Sequence, residues 1–434
     1  ARCARATATA TPPSSGARSA APTACAADEP LDKRPPPQQN PGMRIPLRVV
    51  TVTTAVCLAL GGTTACSPAD RAVLFASACS DSTAFPTAPR HEPGQAHLIG
   101  QVIRSGLPMG PVPGWDDVVS VADAGTALAA VHAGGTVSVV GVDHDGLLAG
   151  TAGGAGQTLL PRRVPGVSDA ISVAAVGSAF LITHADGTVS GWGDSFTASG
   201  GFRGDSPVRT TPAAVQGVDE VVSVADGSLS ALALRSDGGV LGWGVNLTEI
   251  LGEPPGTTVR RIRDVPGAVS VSDASGAAVI ATATGEVCAW GNNVHGLLGV
   301  EPRGGQTNRP VRVDGFGDAE VVQVAGGQHF ALALDSAGTV WTWGRTVTGI
   351  LGDGTTDDTV LTSPRPVPGL PPLRWVGASE SSPYGIDGAG ALWSWGRGPV
   401  RSPEPARDTR PRRVPLPGPA QTVTGALVLL APGD

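Results

Sequence analysis

An all-β ring or stack of four-stranded repeats is the fold class that this 434-residue sequence predicts, and three observations carry the prediction. Glycine (61) and proline (39) are abundant, aromatics are 4% and no helical period is sustained, which suits many short strands joined by turns. One hairpin is legible outright: within Val321 to Gly352, the alternating apolar runs Phe330 to Leu334 and Thr339 to Trp343 flank Asp335, Ser336, Ala337 and Gly338. That unit then recurs about every 50 residues, which points to a propeller or a solenoid.

Aligned on the glycine that closes each Trp-Gly pair, six copies appear, at Gly141, Gly193, Gly244, Gly291, Gly344 and Gly396, with Val140 replacing tryptophan in the first. Six residues upstream stand Gly135, Gly187, Gly238, Gly285, Gly338 and Gly390, and twenty upstream Val121, Val173, Val224, Val271, Val324 and Val376. Neither offset admits an insertion, whereas the distance from closing glycine to next valine runs 32, 31, 27, 33 and 32. A rigid core with variable connections places the insertions in loops, where extra length costs little.

Each unit yields four strand candidates. The first is led by proline: Pro161 to Val164, Pro212 to Val215, Pro310 to Val313, Pro364 to Val367 and Pro411 to Val414. A proline that begins a strand removes no ladder donor. The second is the VxV element (Val322 to Val324), the third the ALAL element (Ala331 to Leu334) and the fourth carries the tryptophan (Val340 to Trp343). Gly338 supplies the positive φ of the hairpin, and Gly344 permits close backbone approach or a bulge. Trp192, Trp243, Trp290, Trp343 and Trp395 read as core between neighbouring sheets.

Units such as VVQVAGGQHFALALDSAGTVWTWGRTVTGILGDG resemble the RCC1 repeat, named after the regulator of chromosome condensation. The resemblance is densest in Gln323 to Gly354, weaker where Val140 replaces tryptophan and where GASESSPYGID replaces the histidine-bearing segment. It implies a seven-bladed β-propeller over residues 94–434. The ends argue for the seventh unit: Pro411 to Val414 offers a first strand, Val423 falls 27 residues beyond Gly396, and the sequence stops before a fourth strand. Gly94 to Gly100 repeats the six-residue glycine spacing, with Ile99 in the tryptophan slot. The last blade is therefore expected to be closed by both chain ends, which removes open sheet edges.

Upstream, residues 1–42 are low-complexity and too poor in large apolar residues to form a core, so they are expected to be disordered or an upstream over-extension. Met43, Arg44, Arg48 and the apolar run Val49 to Leu60, ending in small residues, give residues 43–65 the layout of a signal peptide. Thr63, Thr64, Ala65 and Cys66 resemble a bacterial lipobox, which implies lipidation at Cys66 and export to the outer face of the membrane, with plain secretion as the alternative. Residues 66–93 read as a flexible tether. Cys79 and Cys288 are left either to pair or to stay as free thiols.

Net charge is −7, but residues 1–65 hold seven basic against three acidic side chains, which leaves 66–434 at −11. So acidic a domain lacks the cationic surface that nucleic acid requires. GxSxG, HExxH, P-loop and complete EF-hand motifs are all missing, and neither an enzyme, a cofactor nor a metal site is expected. Asp143, Asp145, Asp353, Asp357 and Asp358 read as ordinary loop acids, and His329 as a structural hydrogen-bonding residue. Arg345 and Arg397 occupy equivalent loop positions just after a Trp-Gly pair and are the candidate ligand-binding residues. The expected function is a monomeric scaffold that binds a protein or cell-wall ligand, touching the membrane only through a lipid anchor. The resemblance also raises two alternatives: an inhibitor similar to propeller-type β-lactamase inhibitors, and guanine-nucleotide exchange.

Overall fold

The computed structural model describes residues 67–74, 76–100, 106–148, 156–194, 208–227, 230–245, 250–251, 258–397 and 408–432. The expected low-complexity segment, the signal peptide and Cys66 lie outside them.

Seven four-stranded antiparallel sheets follow one another as the blades of a propeller, numbered 1 to 6 in chain order from the sheet that begins with Val118–Asp123, with the sheet built from both ends as blade 7. Blade 5 shows the plan: Val321–Gly326 innermost, then Phe330–Asp335, Val340–Arg345 and, outermost, Val360–Pro366. Its central hairpin pairs Ala331 with Trp343 and Leu334 with Val340. The two glycines do what their spacing predicts. Gly338 adopts φ 86°, and a Cβ on Gly344 (φ 97°) would stand 2.6 Å from the His329 carbonyl oxygen.

Each innermost strand starts on the face that carries the tips of the central hairpins, here the hairpin face. The opposite face, here the loop face, carries the turns between first and second strands and the long connections to the outermost strands. Innermost strands are stitched to their neighbours by side chains: Ser270 Oγ accepts from the Val324 N–H (3.1 Å), and Gln323 both accepts from the Val376 N–H and donates to its carbonyl (3.0 and 2.8 Å).

The core lies between blades. Trp192, Trp290, Trp343 and Trp395 are fully buried, and each indole N–H donates to a carbonyl in a loop of the preceding blade: Leu147 (2.9 Å), Ile250 (2.6 Å), Leu297 (3.0 Å) and Ile350 (2.8 Å). Ring area and a directed hydrogen bond thus serve the same interface.

The proline-led strands differ from expectation. They do not begin a blade; they are the outermost strands of the preceding one, as when Val311 pairs with Ala289 and Arg413 with Trp393. Their register shifts at the prolines, between Thr307 and Val311 for instance, and an edge strand or bulge is where a residue without an N–H fits. Closure follows from both ends as expected, but in a different division. Ala420–Thr424 and Leu427–Leu430 form the inner half of blade 7, and Ala96–Leu98 and Gly110–Pro111 the outer half, with Ala96 opposite Leu429. Two strands come from each end because Asp408–Val414 belongs to blade 6.

The expected flexible tether is seated on the propeller. Pro68–Leu74 is helical, Val73 is buried in the core between blades 4 and 5, and Ala78 bridges Val311. Cys79 and Cys288 form a disulfide, and Ala84 is buried against Gly238 and Gly267. The small residues that made this stretch read as a linker are what let it lie flat on a glycine-lined surface.

Candidate functional site

The loop face of blades 4 and 5 gathers the candidate site. His295 follows the strand Val287–Asn292, His329 ends the turn before Phe330–Asp335, and Arg345 closes Val340–Arg345. The two imidazoles stack, with ring centroids 4.0 Å apart at 34°. Arg345 grips Asp358 through both fork nitrogens, Nε to Oδ1 at 3.0 Å and Nη2 to Oδ2 at 2.8 Å, the bidentate geometry that only a guanidinium offers. His329 holds φ 72°, uncommon for a residue with a Cβ, and its carbonyl accepts from the Arg345 N–H at 2.8 Å. Val294 beside them is 51% exposed.

Both histidines are biased toward the neutral form. Burial first, then His329, Arg345 and Arg303, bring His295 down to about 4 against the opposing pull of Asp358. Burial and Arg345 lower His329. The Arg345 hydrogen bond holds the Asp358 carboxyl below its usual range. A partly buried imidazole pair, biased toward the neutral form, thus lies beside a formed ion pair. Arg397 is exposed one blade on, its N–H donating to the Ser381 carbonyl at 2.9 Å, and the structure does not bring it together with Arg345.

At the loop-face mouth of the central channel, Asp226 of blade 3 reaches two other blades. It accepts from the Ala175 N–H of blade 2 at 2.8 Å and from the Thr424 hydroxyl of blade 7 at 3.2 Å. The surrounding blades raise its carboxyl to about 6, burial first with the Asp123 charge adding, against the lowering effect of those two hydrogen bonds. Water reaches Asp226 at the mouth, so its desolvation is partial.

Two constellations carry no sequence motif. In blade 1, Ser138 Oγ lies 2.7 Å from His132 Nε2, and Asp117 Oδ1 lies 2.5 Å from His132 Nδ1. In blade 2, Ser190, His184 and Asp169 repeat the arrangement at 2.7 and 2.8 Å. Both have the connectivity of a serine-nucleophile relay. The serines are only 6% and 8% exposed, and Ser138 Oγ already accepts the Trp115 indole N–H at 2.6 Å. The same two strand positions, nine and three residues before the closing glycine, hold Asp335 with Trp341 and Asp387 with Trp393 in blades 5 and 6, joined by indole-to-carboxylate bonds of 2.9 and 3.0 Å. In blade 3 the first of them is Arg235, paired with Asp219 and Glu220. A position that exchanges chemistry from blade to blade while keeping its hydrogen bonds is a structural clasp. The offset was present in the repeat alignment, but the three partners are scattered in sequence.

Among the described residues, no three His, Cys, Asp or Glu side chains gather as a metal site, and no helix is long and apolar enough to cross a membrane.

The regulator of chromosome condensation (RCC1) repeat model matches residues 284–334. The Xenopus laevis regulator of chromosome condensation is 34% identical over 74 residues, 17% of this chain and 17% of that protein. The human E3 ubiquitin-protein ligase HERC2 is 33% identical over 82 residues, 18% of this chain and 2% of that protein. The matched stretches thus span less than a fifth of either relative. Among solved structures, yeast RCC1 bound to Kap60 superposes with a TM-score of 0.65 at 18% identity, covering 80% of this chain and 89% of that one. The Saccharomyces cerevisiae protein described with its binding properties to Gsp1p and histones gives 0.65 at 17% identity, covering 81% and 94%. At these identities the likeness is one of fold.

Proposed function

We propose that this chain, an RCC1-like seven-bladed β-propeller, is a non-catalytic scaffold that binds another protein through its loop face. The observation that carries the reading is the patch on blades 4 and 5, where exposed Val294 adjoins the stacked His295 and His329 and the Arg345–Asp358 pair. It joins apolar area, a guanidinium and a backbone held at positive φ, and aromatic and arginine side chains tend to anchor protein interfaces. The solved yeast relatives were characterised with protein partners, which favours the same use of the fold here.

Export belongs to the proposal. The cationic start and apolar run after Met43 support it, and so does the Cys79–Cys288 disulfide, since such bonds persist in oxidising compartments. Lipid attachment at Cys66, with a protein or cell-wall component as ligand, is the corresponding membrane-side reading. The test is affinity capture on the full chain, wild type against Arg345→Glu, with Arg261→Glu on an outermost strand as control. Loss of the captured protein with Arg345→Glu alone supports the loop face, whereas equal capture by both variants overturns it. The exchange-factor reading draws on the Xenopus likeness and is tested by nucleotide release from a small GTPase, where acceleration by the wild-type chain would displace the scaffold reading.

A further inference from the structure

We propose that residues 77–93 form a strap that closes the hairpin-face mouth of the central channel, and that the Cys79–Cys288 disulfide is its redox latch. The path is fixed at four places. Beside the outer edge of blade 4, the Arg312 N–H donates to the Ser77 carbonyl at 2.8 Å, and Ala78 bridges Val311. At the hairpin tip of that blade, Glu286 accepts from the Ser80 N–H and hydroxyl, each at 2.9 Å, and Cys79 is bonded to Cys288. At the start of the innermost strand of blade 4, the Gly267 N–H donates to the Ser82 carbonyl at 2.9 Å. At the innermost strand of blade 7, the Glu92 N–H donates to Gln421 Oε1 at 2.8 Å and Gln421 Nε2 donates back to the Glu92 carbonyl at 2.8 Å.

The last two anchors decide the route. Both lie at the channel rim on the hairpin face, three blades apart in a ring of seven. From Ala84 to Glu92 the chain reaches at most about 29 Å fully extended, which favours the short path over the mouth to a detour around the rim. On the way His91 lies beside Arg374 of the innermost strand of blade 6, and burial and that charge lower its pKa. Pro86, Pro89 and Pro93 hold the segment extended and carry no N–H that would need a ladder partner. With Asp226 bonded to Thr424 across the opposite mouth, the channel is bracketed at both ends.

The latch acts because the anchors around it are few: one main-chain hydrogen bond each at Ser77 and Ser82, and the pair from Ser80 to the half-buried Glu286. A dithiol reductant delivers two electrons and two protons, the S–S bond breaks into two thiols, and the dithiol becomes a disulfide. Once that bond is gone, the strap from 77 to 84 is held only by contacts that open locally, and the mouth becomes accessible.

The test is amide hydrogen exchange on the full chain, oxidised, dithiol-reduced and as Cys79→Ser, which leaves the core residue Cys288 in place. The Gly267 and Arg312 amides report directly, because their acceptors belong to the strap. Reduction and Cys79→Ser are each expected to speed their exchange about tenfold or more, with the Ala289 amide in the centre of blade 4 unchanged. Unchanged exchange at Gly267 and Arg312 would overturn the latch. Equal acceleration at Ala289 would overturn it too, by showing that the bond supports the blade as a whole.

Discussion

Replacing Trp343 by phenylalanine probes the interface between blades most sharply. The indole is buried, packs edge-on against Phe316 with centroids 5.7 Å apart at 90°, and donates to the Leu297 carbonyl at 3.0 Å. Phenylalanine keeps an aromatic ring but removes the donor, leaving a carbonyl of the neighbouring blade without its partner, a loss of about 1–3 kcal/mol. The missing ring atoms leave a small void that adds about 1 kcal/mol. The expected total is about 2–4 kcal/mol, or roughly 1 kcal/mol for Trp341→Phe, whose partner Asp335 is joined by a half-buried bond. Urea unfolding followed by tryptophan fluorescence and far-UV circular dichroism measures both. If Trp343→Phe unfolds within about 0.5 kcal/mol of wild type, the indole-to-carbonyl bonds do not hold neighbouring blades together.

Other predictions concern the channel, the clasps and the histidine pair. Because the folded state raises the Asp226 carboxyl, its contribution to stability is full below the unfolded carboxylate range and declines as pH rises above it; Asp226→Asn should flatten that decline in thermal melts between about pH 4 and 7, and an unaltered slope would contradict the assignment. Ser138→Ala and Ser190→Ala should each lose about 1 kcal/mol of stability, and the wild-type chain should not react with a fluorophosphonate probe; labelling at either serine would make the clasps nucleophilic sites. His295 should remain neutral at pH 6 in an NMR titration, a bias that stabilises the fold above the ordinary imidazole range and is lost as pH falls toward 4; a midpoint at or above 6 would remove the burial argument for the loop-face patch.

Much of this architecture was legible because backbone constraints repeat. Gly338 and Gly344 mark a turn and a close approach that other residues resist, so their offset reports the hairpin without any side-chain information. The side of the unit to which the proline-led strands belong is not legible, because a proline at an edge bulge and a proline at a strand start look alike along the chain; only pairing with the preceding tryptophan strand separates them. The strap has no sequence signature for a related reason. Its buried apolar contribution is Ala84, and its order comes from a disulfide spanning 209 residues and from glycine-lined surface. At the candidate site, Arg345 was visible as a loop residue following a Trp-Gly pair, but its partner Asp358 lies 13 residues on, and His295 meets His329 only across two blades.

Ring closure by both chain ends is the central claim, and truncation tests it most directly. Deleting Gln421 to Asp434 removes the inner half of blade 7 and leaves Ala96–Leu98 without the strand that Leu427–Leu430 supplies. Differential scanning calorimetry on the full and truncated chains should show one cooperative transition in the first and a marked downward shift of the whole transition in the second. An unchanged melting temperature would mean that the ring does not depend on its two ends meeting.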